Sequence, residues 1–204
     1  MKYYLLVEGH TEEKVVAPFV KRWLDAQLPH PVSISPIKYH GYGALLKDVV
    51  TRSRMILNNP LADPAGIAVF SLLDYYGPSF PYPQECDTVT ERCQWAKEYI
   101  ESQVGEARFR HHFAVHELEA WLLSEHAIFP AEIRRHLPQR APETVNTTEP
   151  PKALLRRLYR QHTGKNYKET VNGPDLFRKL DPNDAYKKCP HLSALLDDML
   201  SFTQ

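Results

Sequence analysis

The sequence predicts an α/β fold, a mostly parallel open sheet flanked by helices, with a C-terminal helical extension. Three observations carry this expectation. Short apolar runs alternate with amphipathic stretches through the first 126 residues, the pattern of a parallel sheet with right-handed crossovers. The run at 66–73 (Gly-Ile-Ala-Val-Phe-Ser-Leu-Leu) is apolar almost throughout, as strands buried on both faces are. From Pro130 onward, Pro138, Pro142, Pro150 and Pro151 punctuate short helical segments, and no strand pattern returns. The chain therefore divides into a core, 1–126, and a helical extension, 127–204, packed on it.

Each element has its own signal. Residues 2–7 (Lys-Tyr-Tyr-Leu-Leu-Val) form a short strand with aromatic and β-branched content and no breaker. Glu8-Gly9 makes a turn, and Thr11, Glu12 and Glu13 open a helix whose inner face carries Val16, Phe19, Val20, Trp23 and Leu24 until Pro29 stops it. A second strand is expected at 32–37 and a second helix at 44–57, with Leu45, Val49 and Ile56 inward. The strand at 66–73 ends at Asp74, a helix follows at 90–104, and a fourth strand at 109–115. A last core helix is expected at 117–125, with Leu118, Trp121 and Leu122 on its inner face.

Composition narrows the function. Hydrophobic residues at 43% and charged residues at 25% are ordinary for a soluble globular domain. No apolar run approaches the ~20 residues that span a bilayer, and the N-terminus lacks the parts of a signal peptide, so cytoplasmic residence is expected. Cys86, Cys93 and Cys189 include no Cys-x-x-Cys pair, which excludes a zinc ribbon and leaves disulfides unexpected. The absence of a phosphate-cradling glycine loop and of a Gly-x-Ser-x-Gly elbow argues against an NTPase and an α/β-hydrolase. Net charge is zero, without the basic surplus of a generic nucleic-acid binder. Basic charge nevertheless gathers late in the chain, at Arg134, Arg135, Arg156, Arg157 and Arg160. A basic rim of this kind around an acidic pocket would fit a phosphodiester.

Acidic residues stand at the strand ends. Glu8 follows the first strand, Asp74 the third, and Glu117 and Glu119 the fourth. In a parallel sheet these ends share one edge, where open α/β folds place their sites. Glu12, four residues after Glu8, can return toward it across the first helical turn, and two carboxylates beside a glycine suit Mg²⁺, or Mn²⁺, which takes hard oxygen ligands. Each acid also has a plainer role open to it. Thr11 could cap the helix with Glu12 and Glu13 favouring its N-terminus, Asp74 could simply form a turn, and Glu117 or Glu119 could serve a helix start.

The order and spacing of Val7-Glu8-Gly9-His10-Thr11-Glu12, Leu73-Asp74-Tyr75-Tyr76-Gly77 and His116-Glu117-Leu118-Glu119-Ala120-Trp121 resemble a bacterial Toprim-like family of domains of unknown function, the 4276 family, related to OLD-type nucleases. Tyr167-Lys168 and Cys189-Pro190 fit its C-terminal pattern more loosely. The resemblance implies a Toprim-like core in which Glu8 and Glu12 hold one metal and Asp74 binds or bridges metals. Glu117 and Glu119 would be a second acidic pair, and Lys168 would steady transition-state charge. It further implies an ATPase partner and a place in anti-phage defence. One position departs from the Toprim Asp-x-Asp, since Tyr76 stands where the second acid would be.

The expectation is thus a Mg²⁺-dependent nuclease acting on DNA or RNA, with Glu8 as ligand or general base. Its rivals are a degenerate docking module for an ATPase and a phosphatase of small phosphate esters.

Overall fold

The computed structural model describes residues 1–60, 63, 66–146 and 149–203. Strands β1 (Lys2–Val7), β2 (Ser33–Lys38), β3 (Ile67–Asp74) and β4 (Phe109–Ala114) form one sheet in the order β2-β1-β3-β4. Every pairing is parallel, with Val7 opposite Lys38 and Leu72, and Asp74 opposite Ala114. The chain steps outward from β1 to β2, then crosses back to β3 and continues to β4. The sheet therefore reverses direction between β1 and β3, the position where α/β sheets open a crevice at the carboxyl ends of their strands.

The pleat sends alternate residues to opposite faces. Tyr3, Leu5, Val7, Ala68, Phe70 and Leu72 join one core, while Leu6, Val69, Leu73, Phe109 and Phe113 join the other. Helices α2 (Tyr42–Leu57) and α3 (Val89–Val104) cover the second face. Helix α3 starts at a capping box in which Thr88 and Glu91 bond each other's backbone N–H.

The first face is covered by α1 (His10–Gln27) together with the C-terminal helices. Helix α1 begins at Gly9, earlier than its apolar stripe, and Thr11 makes no cap there. The expected helix at 117–125 shrinks to one turn, α4 (Glu119–Leu122), followed by a 3₁₀ turn at His126–Ile128. Tertiary packing overrides its helical pattern: Trp121 is fully buried, its ring 6.0 Å from Phe19 and 6.3 Å from Phe177.

Beyond it lie α5 (Ala131–Arg134), α6 (Pro151–Thr163), α7 (Glu169–Lys179), α8 (Pro182–Lys188) and α9 (Pro190–Ser201), with no further strand among the described residues. These helices share the α1 core rather than building their own, since Leu155, Phe177, Leu192 and Leu196 pack in one cluster with Phe19 and Trp121. Arg22 of α1 fastens α7 by donating to the carbonyls of Phe177, Arg178 and Leu180, which a helix end otherwise leaves without partners. Among the described residues no helix is long and apolar enough to cross a membrane, and all three cysteines are free.

Candidate functional site

At the reversal point, Glu8 leaves β1 and Asp74 ends β3. Glu8 is half-buried, and its Oε2 atom is enclosed with no hydrogen-bond partner. Burial, then the neighbouring Glu12, raises its pKa, while the Tyr42 N–H at the start of α2 works the other way. The wall above it is close: a Cβ added at Gly77 would lie 3.5 Å from that Oε2 and 3.1 Å from the Tyr42 ring.

Glu12 folds back over the N-terminus of its own helix. Only 8% exposed, its Oε2 would stand 2.8 Å from a Cβ at Gly9, so glycine there makes room for the carboxylate. Burial raises its pKa, with the Glu12 and Gly9 N–H groups pulling down and Glu169 pushing up. Glu13, one residue on, turns away to pair with His10 at 3.2 Å and Lys38 at 3.5 Å.

Asp74 accepts the Leu118 N–H at 3.1 Å, which ties the end of β3 to the segment after β4. Burial holds its carboxyl well above the ordinary range, and Glu119, Glu12 and Glu117 add to the rise. Glu119 is 3% exposed; its Oε1 accepts from Tyr167 Oη at 3.2 Å and its Oε2 is 3.9 Å from Lys152 Nζ. Burial above all pushes it up to about 7. Glu117 has a different task, because its Oε2 accepts the Lys152 N–H at 2.9 Å and so caps the first turn of α6.

The ammonium among these acids is that of Lys152, which the sequence reading passed over. Its Nζ lies 3.0 Å from Glu169 Oε2. Burial opposes its charge, but Glu119, Asp74 and Glu169 outweigh burial and hold it above the ordinary lysine range. Glu169 in turn, although burial pushes it up, is held below the usual carboxylate range by Lys152. Lys168, which the resemblance assigns to this role, is exposed at the N-cap of α7, its N–H donating to Asn172 Oδ1 at 2.7 Å. A signal for Lys152 was present. Pro150-Pro151 marks a helix start, and a lysine in a first turn opposes the helix dipole, so it needs acids nearby.

The arginines separate into two groups. Arg156, Arg157 and Arg160 are exposed on α6 and line an open cleft of about 770 Å³. Tyr167, whose hydroxyl holds Glu119, lines the same cleft. Arg157 is paired with Glu149. Arg134 ends α5 and Arg135 follows it, and Arg134 bonds the carbonyls of Ala127 and Phe129. The His136 ring after α5 stacks at 3.7 Å on His162, ten residues along α6 from Lys152 and about 15 Å away by helical rise. Arg134 and Arg135 thus lie toward the far end of α6 from Lys152, whereas Arg156 and Arg157 lie nearer to it along the helix. Tyr76, which the resemblance sets opposite an acid, bonds Asn146 through its hydroxyl and sets its ring 5.3 Å from His116.

The donors fit a divalent cation in kind. Glu8, Glu12 and Asp74 offer hard oxygens, and the enclosed Glu8 Oε2 has no protein partner. Among the described residues no three His, Cys, Asp or Glu side chains form a group that could hold a metal ion, so the fit rests on Glu8 and its neighbour Glu12. Mg²⁺ is commonly held in that way, by one or two carboxylates with water and substrate phosphate completing its shell.

No curated protein and no solved structure matches the chain. A family model described as "Domain of unknown function (DUF4276)" matches residues 7–200, a span containing all of these acids and Lys152, and the chain belongs to that family.

Proposed function

We propose that the protein is a Toprim-like, metal-dependent phosphodiesterase related to OLD-type nucleases, acting on DNA or RNA. The observation that supports it best is the gathering of Glu8, Glu12, Asp74 and Glu119 at the reversal point of the sheet, their carboxyls raised by burial first and then by neighbouring acids, Glu169 and Glu117 among them. Such clusters of perturbed acids in a crevice mark functional sites.

Glu8 and Glu12 would hold Mg²⁺ or Mn²⁺, with Asp74 beside them, and the ion when bound polarises a phosphoryl group as a Lewis acid. Where Glu8 is not a ligand, its carboxyl, raised by burial and by Glu12, is suited to take a proton from the attacking water. The water oxygen bonds to phosphorus as the bond to the leaving oxygen breaks. Lys152 faces the charge that develops, and Arg156, Arg157 and Arg160 bind flanking phosphates. An ATPase partner and a defence role belong to the same proposal and rest on the family resemblance alone.

The test is incubation with Mn²⁺ and either DNA or structured RNA, with and without a cognate ATPase. Cleavage that Glu8→Ala removes is the expected result. If nothing is cut while the protein binds the ATPase, and Glu8→Ala binds it equally well, the docking reading takes its place. Tyr76, tied to Asn146 where a second acid would stand, is the feature that favours that alternative.

A further inference from the structure

The acidic cluster is divided by its partners. On one side both oxygens of Glu119 are engaged, Oε1 by the Tyr167 hydroxyl and Oε2 by Lys152 at 3.9 Å. Glu169 is engaged by the same ammonium at 3.0 Å and by the Thr11 hydroxyl. On the other side Glu8 Oε2 is enclosed without any partner. The ammonium is also held from behind, because Glu117 bonds the Lys152 N–H and fixes the turn of α6 that carries it.

Two-metal hydrolytic sites place their ions about 3.5–4 Å apart. A second divalent ion at Glu119 would have to displace the Lys152 ammonium and break the Tyr167 contact. Otherwise it would sit against a like charge inside a poorly solvated pocket, where repulsion is strong. With these partners Glu117 and Glu119 are poorly placed to serve as a second acidic pair of metal ligands. One of them caps a helix and the other is already neutralised.

We propose that Lys152 stands in place of a second metal ion: the site takes up one divalent cation, on the Glu8 side, and the ammonium neutralises the Glu119–Glu169 side. This rests on the metal-dependent reading above and specifies it. Lys152 is thereby the residue that sets metal stoichiometry, whatever substrate the site accepts.

Mn²⁺ titration of the intact protein, read by native mass spectrometry and electron paramagnetic resonance, tests it. The wild type should saturate at one Mn²⁺ per chain with the spectrum of an isolated ion, and Glu8→Gln should weaken that ion at least tenfold. Lys152→Gln should admit a second ion and give a spin-coupled spectrum, whereas Lys152→Arg, which keeps the charge, should hold the count at one. Two coupled ions in the wild type overturn the proposal whether or not the variants fold. A folded Lys152→Gln that still binds one ion also overturns it. A wild type that binds no Mn²⁺ overturns the metal-dependent reading itself, a result distinct from the other two.

Discussion

Replacing Glu119 with glutamine should change how stability depends on pH more than it changes stability itself. Glu119 is 3% exposed, and burial moves its pKa from 4.5 to about 7. The native state therefore keeps this proton over a pH range in which the unfolded chain has lost it. Extra proton binding by the native state means that stability falls as pH rises from about 4.5 to about 7 and is flat above. The shift corresponds to about 3 kcal/mol. Glutamine keeps an acceptor for Tyr167 and never ionises, so Glu119→Gln should match the wild type near pH 4 and exceed it by up to about 3 kcal/mol near pH 8. The wild-type curve alone would hide this. His112, pushed down from 6.5 to about 4 chiefly by burial, and His111, held well below the ordinary range by burial, give stability that rises with pH across nearly the same range. The difference between variant and wild type cancels the histidines. Urea unfolding at a series of pH values, at constant ionic strength and with EDTA present, measures it. Parallel curves, or a gain confined to acid pH, would refute the assignment of a strained, ionisable carboxyl at this position.

Three further outcomes follow from single contacts. Arg22→Ala removes the donors to three α7 carbonyls and should cost about 2 kcal/mol in urea unfolding, with Mn²⁺ affinity unchanged; a loss below a few tenths would show that water replaces those bonds without penalty. Gly9→Ala puts a Cβ 2.8 Å from Glu12 Oε2 at an extended backbone position. Stability should therefore shift by less than ~1 kcal/mol while calorimetry shows weaker Mn²⁺ binding, and an unchanged affinity would place the ion away from Glu12. If nucleic acid is the substrate, alanine at Arg156 and Arg160 should flatten the salt dependence of binding by roughly two charges' worth, and alanine at Arg134 and Arg135 should not; equal effects in fluorescence anisotropy would return both pairs to one surface.

Much of the fold was legible because β1 and β3 are short apolar runs, and each strand is followed by an acid or a turn. β1 begins and ends where its pattern does, and β3 shows no alternation because both of its faces are buried. The misread element was the segment after β4. Its Leu118, Trp121 and Leu122 spacing is helical, yet the chain turns after Leu122 so that Trp121 packs against both Phe19 and Phe177, contacts 102 and 56 residues distant along the chain. No local periodicity carries that information.

The acids were legible for the same reason as the strands, since a parallel sheet brings its carboxyl ends to one edge wherever they lie in the chain. Their division of labour was not. Glu117 and Glu119 are equivalent as letters, two residues apart after one strand, but the backbone N–H of Lys152 selects the first as a cap and its ammonium selects the second as a counter-charge. That selection comes from α6, which lies beyond several proline-bounded turns, and the docking of such segments depends on side-chain packing against α1 and α4 rather than on any pattern of their own. The same dependence explains why Lys168, adjacent to Glu169 in sequence, is exposed while Lys152 is the lysine that pairs with Glu169. At a helix start consecutive residues diverge by about 100°, so Glu169 reaches inward to Lys152 while Lys168 is left outside. A basic residue that completes an acidic site is better sought where its charge conflicts with its local structure, as a lysine in the first turn of α6 does, than where it merely stands near an acid in the chain.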